Sequence, residues 1–288
     1  MTAAAAPLQV ARNALQRGLV GDAGPWGATL VRFLFGLPFS LAIFGVVALA
    51  TPGAAAHPSA AYGEAVVIGA LAQVGATAAL LVAMRRAGFA VATVMQQSSL
   101  PLSAVFGWLA LGDRIAASAW AGIATTTLGL AILSWPKRDQ MKGAGLGSVL
   151  GLLSGAAFAV GLNAYRQAGL LLEPHHPIYA GTASVCVAQA IQTLVLGSAL
   201  ALWRPASLKA VAQSWRPSLG AGFFGASASA CWFAALALHA AGPVRAVGVI
   251  EAPIAAAVGH RLFRERLSAR QLAGGVMAAL GVVAAALG

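Results

Sequence analysis

Polar and apolar positions along this chain alternate by whole segments, as apolar runs bounded by charges, proline and glycine. Nine such runs lie at residues 25–50, 63–84, 88–111, 116–135, 144–169, 176–203, 217–239, 243–262 and 267–287. A helix crossing a bilayer needs roughly 20 apolar residues, so each run predicts a membrane-spanning helix. Residues 2–20 are a tenth candidate, although Pro7, Arg12, Asn13, Gln16 and Arg17 keep hydropathy alone from marking it as a span. The longest connections are residues 51–62 and 204–216, and no linker separates globular units.

An internal repeat organises these segments. Pro101, Gly107, Asp113-Arg114, Ala121-Gly122 and Leu128-Gly129 are answered in register, 152 residues on, by Pro253, Gly259, Glu265-Arg266, Ala273-Gly274 and Leu280-Gly281. Upstream, Val10, Asn13 and Ala14 are answered by Val160, Asn163 and Ala164 at an offset of 150. Compositional bias produces stray Ala and Leu matches, but not this series of Pro, Gly, acid-Arg and Gly. The match makes residues 2–20 the counterpart of 144–169 and predicts ten transmembrane helices, five in residues 1–137 and five in 143–288. Because five is odd, the second set enters the bilayer from the opposite face. The expected fold is therefore an all-α membrane protein of two inverted five-helix repeats, an architecture associated with alternating access.

Composition sharpens the picture. The chain is 59% hydrophobic and 9% charged, with a mean hydropathy of +0.81, whereas a soluble domain carries about 25% charge. A sizeable soluble catalytic domain is excluded, and the surface is expected to meet lipid. The net charge of +11 comes from 18 basic residues scattered between spans, which argues against nucleic acid as a partner. They cluster at Arg85-Arg86, Lys137–Lys142, Arg204–Arg216 and Arg264–Arg270, on one side of a ten-helix layout, and place both termini outside the cytoplasm. Six of the seven tryptophans fall near predicted helix ends, where an amphipathic ring suits the headgroups, and only Trp232 lies mid-helix. Cys186 and Cys231 form no metal spacing and no disulfide framework. No basic region precedes the first apolar stretch, so no cleaved signal peptide is expected.

Gly112-Asp113-Arg114 and Glu265-Arg266, each followed by Ala-Gly and Leu-Gly, resemble the signature that ends each half of EamA-type transporters of the drug/metabolite transporter superfamily. Arg32-Phe33 is similar to that family's Arg-Phe pair. The resemblance implies a multi-pass protein of the bacterial inner membrane that exports small metabolites, with amino-acid exporters, including those for aromatic amino acids, most similar in size and layout. It also implies cytoplasmic termini, against the charge count.

Six of the seven acids lie at helix ends or in connections, and Glu251 alone sits mid-span, two residues before Pro253. A lone carboxylate at the midplane costs about 2.5 kcal/mol or more, so such groups usually face a cavity or a partner. Arg12 and Arg166 are the structural partners to weigh against a cavity-lining role. The repeat places Ser99 opposite Glu251, within Gln96-Gln97-Ser98-Ser99, where Gln96 and Ser99 share a face. Pro101 and Pro253 each remove a helix hydrogen bond, freeing the carbonyls of Gln97 and Val249, and are read as hinges. Asn13 and Asn163, Gln73 and Thr77, and Ser229 and Trp232 complete the expected substrate-binding set. Arg17 and Arg166 read as snorkelling to the headgroups.

Other features are structural. Gly143, Gly147, Gly151 and Gly155 make a smooth stripe for close helix packing. Glu173-Pro174-His175-His176 reads as a solvated turn rather than a metal site. No cofactor is expected, and the sequence lacks a phosphate-binding loop, HExxH or nucleophile elbow. An intramembrane enzyme would need paired acids or a His/Asp set at bilayer depth. A non-transporting interaction protein would leave the polar, proline-broken spans without a purpose. The function expected is a secondary transporter of a small metabolite, with possible proton coupling. A nucleotide-sugar or lipid-linked substrate is the runner-up and would need more cationic charge deep in the cavity.

Overall fold

A computed structural model of the chain describes residues 2–134, 145–249 and 269–287. Every regular element among them is a helix: α1 (Thr2–Leu34), α2 (Leu37–Ala50), α3 (Ala60–Gln96), α4 (Ser99–Leu111), α5 (Ala117–Ser134), α6 (Gly145–Leu172), α7 (Pro177–Trp203), α8 (Pro205–Gln213), α9 (Trp215–Leu238), α10 (Ala241–Gly248) and α11 (Ala269–Leu287). Among the described residues, five stretches are long and apolar enough to cross a membrane: Ala23–Ala50, Ala60–Leu80, Gly145–Leu172, Pro177–Trp203 and Trp215–Leu238. Large apolar side chains such as Val46, Leu49, Leu194 and Leu202 project outward, Leu49 at 86% exposure, as a lipid-facing surface requires.

Prolines set the helix breaks. A proline ring clashes with the carbonyl four residues earlier. Accordingly α1 ends at Leu34, four before Pro38, and α3 ends at Gln96, just ahead of the residue four before Pro101. Two expected boundaries move as a result. The run 25–50 is interrupted at Phe35-Gly36, and the expected boundary at residues 85–87 does not interrupt α3, which runs through Arg85 and Arg86. Paired arginines end an apolar run but are good helix formers, so they do not end the helix. Gly24 adopts φ 68° immediately before Pro25, and this left-handed residue kinks α1 where the more polar N-terminal part meets the apolar span.

The chain packs as two units. The first comprises Met1–Val74 and Ala164–Leu238. Its core joins Leu30, Val31, Phe33, Val74, Leu196, Leu200 and Val211. The main packing is α1 along α9, with α7 against both α9 and α2. Glycine lets these helices touch backbone to backbone. A methyl at Gly181 of α7 would lie 2.8 Å from Ala234 Cα of α9, so only glycine fits there.

The turn after α6 belongs to this unit. Contrary to the sequence expectation of a solvated turn, Glu173 is buried at 6% exposure. Its carboxylate accepts the His175 N–H at 3.0 Å and the backbone N–H of Ala55, and it lies 3.5 Å from His176 Nδ1. The backbone N–H of His175 above all holds its pKa below the usual carboxylate range. A depressed folded-state pKa stabilises the fold above the unfolded-state value, and that stabilisation is lost as pH falls through the lower folded value. Glu173→Gln is therefore expected to lower the melting temperature at neutral pH. The gap between variant and wild type should close as the pH drops below the ordinary carboxylate range, in melts of detergent-purified protein. A gap independent of pH would remove the carboxylate's charge from the account.

The second unit comprises Gly75–Asn163 and His239–Gly288. Leu100, Ala104, Ile123, Leu130, Ala246, Val249 and Ala278 form its core. The glycine stripe behaves as expected where it is described: Gly147 meets Ala87, Gly151 meets Ala92 and Met95, and Gly155 meets the α3–α4 break at Gln96–Ser99. Gly143 lies outside the described residues. Gly112, at φ 65°, closes α4 and returns the Asp113 N–H to the Gly107 carbonyl at 3.1 Å.

Backbone meets backbone between α5 and α11 of this unit. A methyl at Gly122 would lie 2.7 Å from the Gly281 carbonyl oxygen, and one at Gly129 would lie 2.8 Å from that of Gly274. Gly129 also abuts the backbone of Ala278, while Gly281 abuts that of Thr126. Successive contacts climb one helix and descend the other, so α5 and α11 run antiparallel.

Candidate functional site

In the first unit, three polar side chains meet inside the bundle. Gln192 Nε2 of α7 donates to Gln73 Oε1 of α3 at 2.6 Å and to the Tyr165 hydroxyl of α6 at 3.1 Å. The Tyr165 hydroxyl in turn donates to Gln73 Oε1 at 3.0 Å. Tyr165 is pinned from one side by Gly69, which has no side chain to exclude the ring, and from the other by Phe233, whose ring centroid lies 4.1 Å away. A second amide, Gln189, stands one turn before Gln192, accepts the Ser40 hydroxyl at 2.8 Å and faces Gly36 at the α1–α2 break. Its Nε2 is buried with no hydrogen-bond partner.

The face of α9 that carries Gly222, Gly225, Ser229 and Trp232 follows helical spacing. Gly222 packs directly on the backbone of Phe35-Gly36, and Gly225 faces the stems of Arg12 and Arg32. Ser229 is buried, and the Trp232 indole N–H donates to Gln9 Oε1 of α1 at 3.0 Å. The two expected residues on this helix thus lie on the face that meets α1. Arg166 does not reach for the headgroups; Nη1 donates to the Leu236 carbonyl at 3.2 Å, within the last turn of α9, where a cation suits the helix C-terminus.

In the second unit, the break between α3 and α4 falls at Gln97-Ser98. Pro101 stands in the first turn of α4, and the Gln97 carbonyl expected to be free accepts the Leu100 N–H at 3.0 Å. The Gln97 side chain accepts from Arg245 Nη2 of α10 at 3.0 Å. Gln96 is partly buried, while Ser99 is fully buried with its hydroxyl unpartnered. Asn163 Nδ2 is used twice, donating at 2.9 Å to the carbonyls of Ser103 and Ala159, and so ties α6 to α4. Its Oδ1 is buried without a partner and shares the space over Gly107 with Asp113 Oδ2.

Of the expected site residues, Gln73, Ser229 and Trp232 therefore lie in the first unit, and Thr77, Gln96, Ser99, Asn163 and Pro101 in the second. The Asn13 side chain, Glu251 and Pro253 lie outside the described residues. Sequence reasoning missed Gln189, Gln192 and Tyr165. The two glutamines sit three apart in an apolar span, the same signal that marked Gln73 and Thr77.

Residues 11–135 match the model of the EamA-like transporter family. No curated protein matches the chain. Among solved structures, a crystal structure of a protein superposes with a TM-score of 0.70 at 16% identity, covering 99% of this chain and 95% of that one, which is a likeness of fold.

Proposed function

We propose, from the match of residues 11–135 to the EamA-like transporter family, that the chain is a secondary transporter of small metabolites, most plainly amino acids, including aromatic ones. The observation that carries this reading is the polar set held among apolar spans of the first unit: Gln73, Tyr165, Gln189, Gln192 and Trp232, all partly or fully buried. Buried amides and hydroxyls at bilayer depth are costly unless they hold helices together or line a path for a polar solute. Amide side chains offer both donors and acceptors, as an amino acid's ammonium and carboxylate require.

Ten spans in two inverted repeats, residues 1–137 and 143–288, remain our reading of the architecture. The α5–α11 contact supports it. Gly122 and Gly129 are the repeat counterparts of Gly274 and Gly281, and they meet crosswise, Gly122 on Gly281 and Gly129 on Gly274. Self-matching contact between counterparts is what a two-fold axis produces. With the helices antiparallel, that axis lies across them, as inverted topology requires. Transport would proceed by alternating access in the bacterial inner membrane, with the segment Gln97–Pro101 and its counterpart at Pro253 as hinges.

Uptake of labelled amino acids into liposomes, with and without a pH gradient, tests the function. Glu251→Gln, at the one carboxylate the sequence puts at bilayer depth, is expected to keep exchange and lose acceleration by the gradient if that group carries a coupling proton. If it holds the substrate ammonium, exchange itself should weaken. Wild-type protein that moves no amino acid under either condition would remove the substrate class. A stable Glu251→Gln that behaves as wild type would remove Glu251 from the site.

A further inference from the structure

Two arginine stems pack on Gly225 of α9 in the first unit, and Arg32 has been given no role so far. Arg12 is buried at 6% exposure, although it sits in the α1 segment of lowest hydropathy. Arg32 lies well inside the apolar stretch Ala23–Ala50, three residues before the α1–α2 break. A methyl at Gly225 of α9 would stand 3.3 Å from both Arg12 Cδ and Arg32 Cγ, so the two stems flank the same small residue. The Arg32 guanidinium rests 5.2 Å over the Phe33 ring, which covers one of its faces. Arg32 Nε is buried with no hydrogen-bond partner, and no described carboxylate pairs with Arg32. The guanidinium is also within electrostatic reach of the Tyr165 phenol, beside Gln73 and Gln192.

A guanidinium inside a bundle is costly without a counter-charge, and an anion at its edge offsets that cost. A guanidinium edge offers parallel donors matched to an oxyanion, most simply a carboxylate taken bidentate. We propose that Arg32, its stem packed on Gly225, forms an oxyanion-binding site that takes the carboxylate of the transported metabolite. This deepens the transport reading above. An amine lacking an acidic group would not be a ligand, and the amides and phenol of Gln73, Gln192 and Tyr165 would meet the rest of the polar headgroup.

The test is binding to detergent-purified full-length protein, read as thermal stabilisation by phenylalanine, 3-phenylpropanoate, phenethylamine and phenyl phosphate in titration. Phenylalanine and 3-phenylpropanoate should stabilise the wild type, and phenethylamine should not. Arg32→Gln should weaken carboxylate binding by at least about tenfold, or about 1.4 kcal/mol, with its ligand-free melt and size-exclusion profile unchanged. Arg32→Lys should retain part of the affinity, since charge survives while the fork is lost. Should Arg32→Gln fail to fold, Arg32→Lys and Gly225→Ala carry the test. The alanine methyl would push both stems by a few tenths of an ångström and is expected to weaken the same two ligands. Phenethylamine binding as tightly as phenylalanine, anion affinity unaltered in every folded variant, or no stabilisation by any anion would overturn the site. Arg32-dependent binding of phenyl phosphate alone would keep the oxyanion site and sink the amino-acid substrate. Amino-acid uptake with unaltered affinity in Arg32→Gln would do the reverse.

Discussion

Gly129→Ala and Gly281→Ala should each destabilise the protein, and by similar amounts. A methyl at Gly129 would lie 2.7 Å from Ala278 Cα and 2.8 Å from the Gly274 oxygen, and one at Gly281 would lie 2.7 Å from the Gly122 oxygen. All of these are backbone atoms, so no flexible side chain can yield and the helices must separate. Overpacking costs typically about 1–3 kcal/mol in a core that can adjust, and the upper end is expected here because α5 and α11 are each other's principal partner. Alanine gains only about 1 kcal/mol over glycine in helix propensity, which does not offset the clash. Gly197→Ala supplies the control, since nothing lies within 4 Å of its added methyl, and it should be neutral or stabilising. Reversible unfolding in mixed micelles measures all three. If Gly129→Ala behaves like Gly197→Ala, the tight interface is wrong. If only one of the two glycines matters, the equivalence of the repeat positions is lost.

That interface also marks how far the residue order can be read. The series of Pro, Gly, acid-Arg and Gly in two copies is visible in the sequence, but its purpose is not. Spacing alone does not say that Gly122 meets Gly281 rather than another apolar helix. Gly107 is similar: its bareness becomes intelligible once Asp113 Oδ2 and Asn163 Oδ1 are seen crowding it. Helix ends were misplaced where hydropathy and helix chemistry disagree. Arg85-Arg86 closes an apolar run without breaking α3, whereas Pro38 and Pro101 act one turn upstream of themselves. The arginine of the oxyanion site was hidden for a different reason. A charge within a span reads as snorkelling or as an ion pair until its neighbours are known, and Arg32 packs on Gly225 of α9, nearly two hundred residues away in sequence. Tyr165 reads as an aromatic core residue, because a hydroxyl at the end of a ring leaves the periodicity unchanged.

Gln192→Leu should cost stability as well as transport, and the two losses can be separated. The substitution keeps roughly the same volume but removes the donor that serves both Gln73 Oε1 and the Tyr165 oxygen. Gln73 keeps the Tyr165 hydroxyl as a donor, so one acceptor site rather than a whole group is orphaned. An unsatisfied buried polar group costs about 1–3 kcal/mol, while polar pairs within membranes average about 0.6 kcal/mol and reach about 1.7. A loss of about 1–2 kcal/mol is expected, with coupling to Gln73→Leu of about 1 kcal/mol in a double-mutant cycle. Tyr165→Phe removes a single hydroxyl and leaves the ring on Phe233, so its stability loss should be the smaller. If the cluster meets substrate, each folded variant should also raise the concentration for half-maximal uptake, and Tyr165→Phe should do so out of proportion to its stability loss. If the cluster only joins α3, α6 and α7, uptake per folded molecule should match wild type in all three. Zero coupling between Gln73 and Gln192 would contradict the 2.6 Å hydrogen bond itself.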